Sequence, residues 1–250
     1  GQKHVLTSDS KISILTCGTS TELHSLFGHT GIRIQDKNLG LDLVYNYGAF
    51  DFAAPNFYGK FIKGDLLYFI GLDDFNSFLF NYQAENRSVW EQDLNLNLQV
   101  KQAIFSELVL TYGTEKALYT YKFIDKNCTT LAKDLIEKHA GLQLSMDLTD
   151  ADRSHRNILN NYLKNAYLPG FGINLAFGAK TDKKLTHVFL PQQLLESIEK
   201  TSINKQPLSE QTREVFKAHE NKVSNLPTIL ILTAIFTVLS KINLCYRGSP

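Results

Sequence analysis

The chain has 250 residues, 43% hydrophobic and 20% charged, enough for one sizeable core or a core with a small appendage. Its 26 basic and 25 acidic residues leave a formal net charge of +1, which gives no reason to expect nucleic acid or any strongly charged partner. Three cysteines, Cys17, Cys128 and Cys245, are too few and too scattered for a disulfide framework or a zinc site, so neither a metal nor a cofactor is expected.

Residues 1–10 are polar and lack the pattern of a signal peptide; Gly1-Gln2-Lys3 reads as a processed or engineered start, so no compartment follows from it. Lys11 to Cys17 alternates and predicts a first strand. Gly18 to Glu22 predicts a turn with one helical turn. His29 to Gln35 alternates again, Asp36 to Gly40 has the composition of a hairpin turn, and Leu41 to Tyr47 is the returning strand. Asp51 to Lys63 is irregular and rich in aromatics, Leu66 to Gly71 is another strand, and Asp73-Asp74 caps a helix over Phe75 to Asn81. The aromatic residues between Tyr45 and Tyr82 read first as core filling and second as the lining of a groove.

Arg87 to Leu96 is expected to be extended, and Asn97 to cap a helix reaching Tyr112 with Val100, Ile104, Leu108 and Val109 on its apolar face. Tyr119, Tyr121 and Phe123 alternate into Cys128 to His139, a helix stopped by Gly141. Beyond 150 the pattern is mostly helical, interrupted by Pro169-Gly170-Phe171-Gly172, with a helix over Gln192 to Lys200 and a charged tail helix over Ser209 to Ala218. Leu226 to Leu239 is an uncharged apolar run, short of the ~20 residues of a membrane span. It reads either as a buried C-terminal helix or as a membrane-associated or truncated spanning segment, with 226–244 as the surface for any membrane contact. The expected class is α+β: an antiparallel sheet packed by helices, with a mostly helical C-terminal portion.

Chemistry centres on Cys128 and His29. A thiol at a helix N-terminus, in Asp125-Lys126-Asn127-Cys128-Thr129-Thr130, has backbone N–H groups and the helix dipole to favour its thiolate. A histidine heading an alternating strand is a natural partner for its proton. The hairpin returns Tyr45, Asn46 and Tyr47 beside His29, with Asn46 facing the side opposite to both tyrosines. An amide there holds an imidazole in one tautomer, as the third member of a Cys-His-Asn site does; Tyr45 or Tyr47 are substitutes for that role and candidate substrate contacts. The bland alternatives are a buried helix cysteine, a polar turn histidine and an ordinary strand asparagine. A Cys17–Cys128 disulfide would remove the nucleophile altogether.

Arg87 is either a bidentate ligand for a substrate carboxylate or phosphate, or the ion-pair partner of Glu85 or Glu91. Asn127 reads as the helix cap ahead of a substrate contact. Gly28 lets substrate or the Cys128 helix approach the strand closely, or serves a turn. Asp42 and Asp51 read as turn residues, and His24, His139, His155, His187 and His219 as surface residues.

Several stretches together resemble one known family: Leu15-Thr16-Cys17-Gly18, Ser25-Leu26-Phe27-Gly28-His29-Thr30, Val44 to Phe52, Asn86-Arg87-Ser88-Val89, Asp125 to Thr130, Gly172-Ile173-Asn174-Leu175 and Phe189-Leu190-Pro191. They span about residues 12–216 and resemble the DUF4105 family, also known as the Lnb N-terminal periplasmic domain, found in envelope proteins of Bacteroidetes. The order of histidine, polar residue and helix-start cysteine is similar to circularly permuted papain-like enzymes of the NlpC/P60 and lecithin:retinol acyltransferase groups. Those resemblances imply a permuted papain-like catalytic core over 1–150; the pattern beyond it reads as a helical extension packed on that core over 151–225 and an apolar, membrane-associated or buried C-terminal helix over 226–250. They also imply a cysteine-dependent hydrolase or acyltransferase of the periplasm or cell envelope, with Cys128 as nucleophile, His29 as base and Asn46 as orienter. Its substrate would be a peptide, a peptidoglycan-type amide or a lipid acyl group. At Asn46 the related groups often carry His, Glu or Asp. The competing expectation is a non-catalytic envelope domain that binds a glycan, lipid or protein.

Overall fold

A computed structural model of the protein describes residues 5–20, 25–49, 67–163 and 181–219. Residues 1–218 cluster as one compact unit. The expectations for 51–63, Pro169–Gly172 and 226–244 lie outside the described residues, as do His24 and Asp51.

Strands β1 (Lys11–Cys17), β2 (His29–Asp36), β3 (Leu41–Ala49) and β4 (Leu67–Asp74) lead into helix α1 (Phe75–Ala84). Strand β5 (Val89–Asp93), helix α2 (Leu98–Tyr112), strand β6 (Tyr119–Thr120) and helix α3 (Cys128–Ala140) follow. Then come α4 (His155–Leu163), α5 (Pro191–Glu199), the short pair β7 (Ser202–Ile203) and β8 (Gln206–Pro207), and β9 (Arg213–Phe216). Among the described residues this is an α+β protein with five α-helices and a seven-stranded antiparallel sheet ordered β6-β4-β3-β2-β1-β5-β9.

Local sequence explains most of these elements. The Asp74 carboxylate accepts the Ser77 N–H at 3.0 Å and Asn97 accepts the Val100 N–H at 2.9 Å, so each caps the helix it precedes. Pro191 occupies the first turn of α5, where its missing N–H and fixed φ do no harm.

Period-two alternation then sorts side chains between the sheet faces. Ile12, Ile14, Ile32, Ile34, Tyr45 and Tyr47 form one face, packed with Ile104 and Leu108 of α2, Ala132 and Ile136 of α3, and Leu194 and Ile198 of α5. Leu15, Cys17, Val44 and Val89 form the other, covered by Phe75 and Phe78 of α1.

The second face also carries a row of charges across five strands. Arg33 Nε and Nη2 donate to the two Asp42 oxygens at 2.7 and 2.8 Å, and its Nη1 to Glu91 at 3.0 and 3.1 Å. Asp42 is thus a buried arginine's partner rather than a mere turn residue. Arg213 reaches Glu91 at 3.0 Å and Asp93 at 3.3 Å, and Asp93 also accepts from Lys11 and Ser13.

This row corrects the tail-helix expectation for 209–218. Arg213–Phe216 pairs with β5 as an edge strand, because Arg213 finds buried acids there while Val215 and Phe216 pack on the second-face cluster. The alternating run at Tyr119–Phe123 also shortens to Tyr119–Thr120, since Lys122 and Lys126 close a backbone turn immediately before α3.

Candidate active site

Cys128 is the first residue of α3, and Asn127 caps the helix. The Asn127 Oδ1 accepts the N–H groups of Thr129 and Thr130 at 2.8 and 2.9 Å, while its own N–H donates to Thr130 Oγ1 at 2.8 Å. Its Nδ2 donates to the carbonyls of Phe123 at 2.6 Å and Phe189 at 2.8 Å. Every polar atom of Asn127 is therefore committed to holding the helix start, which assigns it the cap and leaves nothing for a substrate. Among the described residues no hydrogen bond takes up the N–H of Cys128 itself.

Strand β2 meets this helix tip at a gap in the sheet. Pairing between β2 and β3 stops at Ile32↔Tyr45, whereas β2 stays paired to β1 as far as Cys17↔His29. The start of β2 thus lies beyond its last partner on β3, with the Thr30 backbone N–H close enough to the Cys128 sulfur to favour the thiolate. The Thr30 and Thr129 hydroxyls, 3.0 Å apart, tie strand to helix.

By alternation His29 and Asn46 share the face opposite Tyr45 and Tyr47, and His29 Nε2 lies 3.0 Å from Asn46 Oδ1. The amide is oriented by its Nδ2, which donates to Asp73 Oδ2 at 2.9 Å. With Oδ1 as acceptor, Nε2 carries the proton and Nδ1 of the neutral ring is left as a base. The His29 ring and the Cys128 thiol lie close enough for each to shift the titration of the other.

Electrostatics separate the two described thiols, both of which are free. Burial pushes Cys128 up, but the His29 charge, the His29 hydrogen bond, the Thr30 N–H and the Thr129 hydroxyl outweigh it, so the thiol lies below its ordinary value. Burial pushes His29 down, yet the Cys128 charge and the bonds to Cys128 and Asn46 carry it above its ordinary value. Both directions favour a thiolate–imidazolium pair. Cys17, buried against Tyr82, is pushed up to about 12 by desolvation and is inert at neutral pH.

The remaining sequence candidates lie elsewhere. Arg87 is buried, pairs with Glu85 at 2.8 Å, donates to the Gly18 carbonyl at 2.9 Å and lies over the Tyr82 ring, so its contacts are those of the ion-pair alternative. Tyr45 sits in the core with its ring edge toward Tyr112, and Tyr47 sits against Tyr119. Gly28 has φ +80, and a Cβ there would meet the Cys17 carbonyl oxygen at 2.5 Å; its close neighbour is β1 rather than the Cys128 helix. His155 is buried, correcting its expected surface position, and His139 and His187 are half-buried.

Asp73 was missed as an orienter because it reads as half of a helix-capping pair; only strand register reveals that it lies across from Val44 and near Asn46. A cleft of about 230 Å³ lies beside β1, with Phe27, Trp90, Tyr162 and Pro191 in its wall. Among the described residues no group of three or more His, Cys, Asp or Glu side chains is arranged to hold a metal. None of their helices is long and apolar enough to cross a membrane.

Comparison with curated proteins and with solved structures gives no match. A family model does match, from residue 2 to 161, and that span contains His29, Asn46, Asp73 and Cys128 but stops short of the Phe189-Leu190-Pro191 stretch. Covering more than half of the chain, the match shows that the protein belongs to the Lnb N-terminal periplasmic domain family and places it in the periplasm or cell envelope.

Proposed function

We propose that the protein is a cysteine-dependent hydrolase or acyltransferase of the cell envelope, acting on an amide or ester through Cys128, His29 and Asn46 in a permuted papain-like arrangement. The observation that carries this reading is the thiol at an unpaired helix N–H, beside an imidazole that an asparagine holds at Nε2.

His29 Nδ1 takes the Cys128 proton, and the sulfur bonds to the carbonyl carbon as the carbonyl π electrons move to oxygen. The Cys128 N–H donates to that oxyanion. Collapse re-forms the carbonyl and breaks the bond to nitrogen or oxygen, the leaving group taking the proton from His29. Water or an acceptor hydroxyl or amine, deprotonated by His29, then attacks the thioester and returns the thiol. Peptides, peptidoglycan-type amides and lipid acyl groups share the carbonyl this chemistry needs.

A second reading, an envelope binding domain with an inert thiol, is favoured by one observation: Cys128 is only 9% exposed. An activity-based thiol probe, followed by a screen of acyl and peptide substrates, separates the two. Labelling and turnover that vanish in Cys128→Ala and His29→Ala, with melting curves unchanged, support the enzyme. Retained turnover in either folded variant rejects it.

A further inference from the structure

Tyr119 has a buried hydroxyl with no hydrogen-bond partner, and it is the one tyrosine among the described residues of which this is true. The residue is 8% exposed, its ring lodged between Tyr47 and Tyr68 at centroid distances of 6.4 and 6.3 Å, so the hydroxyl cannot swing out to water. Buried polar atoms are nearly always paired, and one left unpaired requires an explanation.

Its position supplies one. Gly48 stands at φ +98 beyond the last β2–β3 pair, and a Cβ built on it would lie 3.9 Å from both Cys128 Cβ and Tyr119 Oη. Gly48 thus faces a small space bordered by the Cys128 Cβ and the Tyr119 hydroxyl. That space has two unpaired donors beside it: the Cys128 N–H and the Tyr119 O–H. Two donors flanking a nucleophile, with no acceptor of their own, are arranged for an oxygen that arrives with the substrate.

We propose that Tyr119 is a further catalytic residue, donating its Oη–H to the substrate carbonyl oxygen as it becomes an oxyanion, alongside the Cys128 N–H. This rests on the acyl-transfer reading of Cys128 given above. No proton is transferred from Tyr119; it strengthens a hydrogen bond while sulfur adds to the carbon, and weakens it again on collapse.

The test uses the full chain and two probes of the same sulfur. p-Nitrophenyl acetate acylates a thiol through an oxyanion, whereas iodoacetamide alkylates it by displacement without one. In Tyr119→Phe, Cys128 acylation followed by intact-protein mass spectrometry should fall by about 100-fold. Iodoacetamide alkylation of Cys128, and its pH profile, should stay unchanged. The melting temperature should hold or rise, because the hydroxyl removed has no partner to lose. Acylation at the parental rate overturns the assignment. So does an equal fall in both reactions, which would place Tyr119 in support of the thiol itself. Loss of the fold overturns it too, since an unpartnered hydroxyl can be deleted without penalty. Absence of Cys128-dependent acylation in the parent protein rejects the acyl-transfer reading, and this inference with it.

Discussion

The Asn127 side chain offers the sharpest quantitative test of how the helix tip is built. Asn127→Ala removes a cap worth about 1 kcal/mol. It also leaves the buried Phe189 carbonyl without the Asn127 donor, at about 1–3 kcal/mol, and removes a bond of about 1 kcal/mol to the half-buried Phe123 carbonyl. The expected loss is about 3–5 kcal/mol, a large part of the 5–15 kcal/mol that typically holds a folded protein together. For a unit of this size that lowers Tm by about 10 °C. Asn127→Asp divides the effect. Its carboxylate keeps the acceptor for Thr129 and Thr130 and gains from the helix dipole, but it has no N–H for the two carbonyls and repels both. The two variants should therefore be destabilised comparably by urea unfolding. Asn127→Ala losing less than about 1 kcal/mol, or Asn127→Asp matching the parent, would refute the claim that the amide nitrogen braces this turn.

Four further outcomes follow from the structure. Alkylation of Cys128 by iodoacetamide should titrate below the ordinary thiol value of about 8.5; in His29→Ala the profile should move upward, because the partner that lowers the thiol is gone while its burial remains. Cys17, at about 12, should alkylate only on unfolding, which peptide mapping would show. Arg33→Ala should cost about 3–5 kcal/mol by leaving Glu91 and Asp42 without their buried partner, whereas Arg213→Ala, at a side chain 57% exposed, should cost no more than about 1 kcal/mol in urea unfolding. Gly28→Ala should lower Tm and disturb the start of β2, since it combines a left-handed backbone with a Cβ pressed on the Cys17 carbonyl; an unchanged Tm would contradict that placement.

What could be read from the chain was what short-range physics decides. Asp74, Asn97 and Asn127 announce their helices because a cap acts within three residues, and the 36–40 turn fixes a hairpin whose alternation puts Asn46 opposite Tyr45 and Tyr47. The α+β class and the antiparallel sheet followed from the same periodicities. Contacts set by register between distant strands stayed hidden. Arg213 looks like one charge in a helical tail until β5 places Glu91 and Asp93 across from it. Asp73 becomes the partner of Asn46, and Tyr119 the neighbour of Cys128, only once β4 lies beside β3 and β6 beside β4. Arg87 looked open to a ligand because neither Tyr82 nor the Gly18 carbonyl can be placed around it from spacing alone.

The unzipped end of β2 implies an antagonism between regularity and reactivity. A sheet gains by closing every rung, yet here further pairing of β2 with β3 would claim the amide that now lies beside the sulfur. Changes that straighten β3 near Gly48 should therefore yield a tougher protein with a quieter thiol.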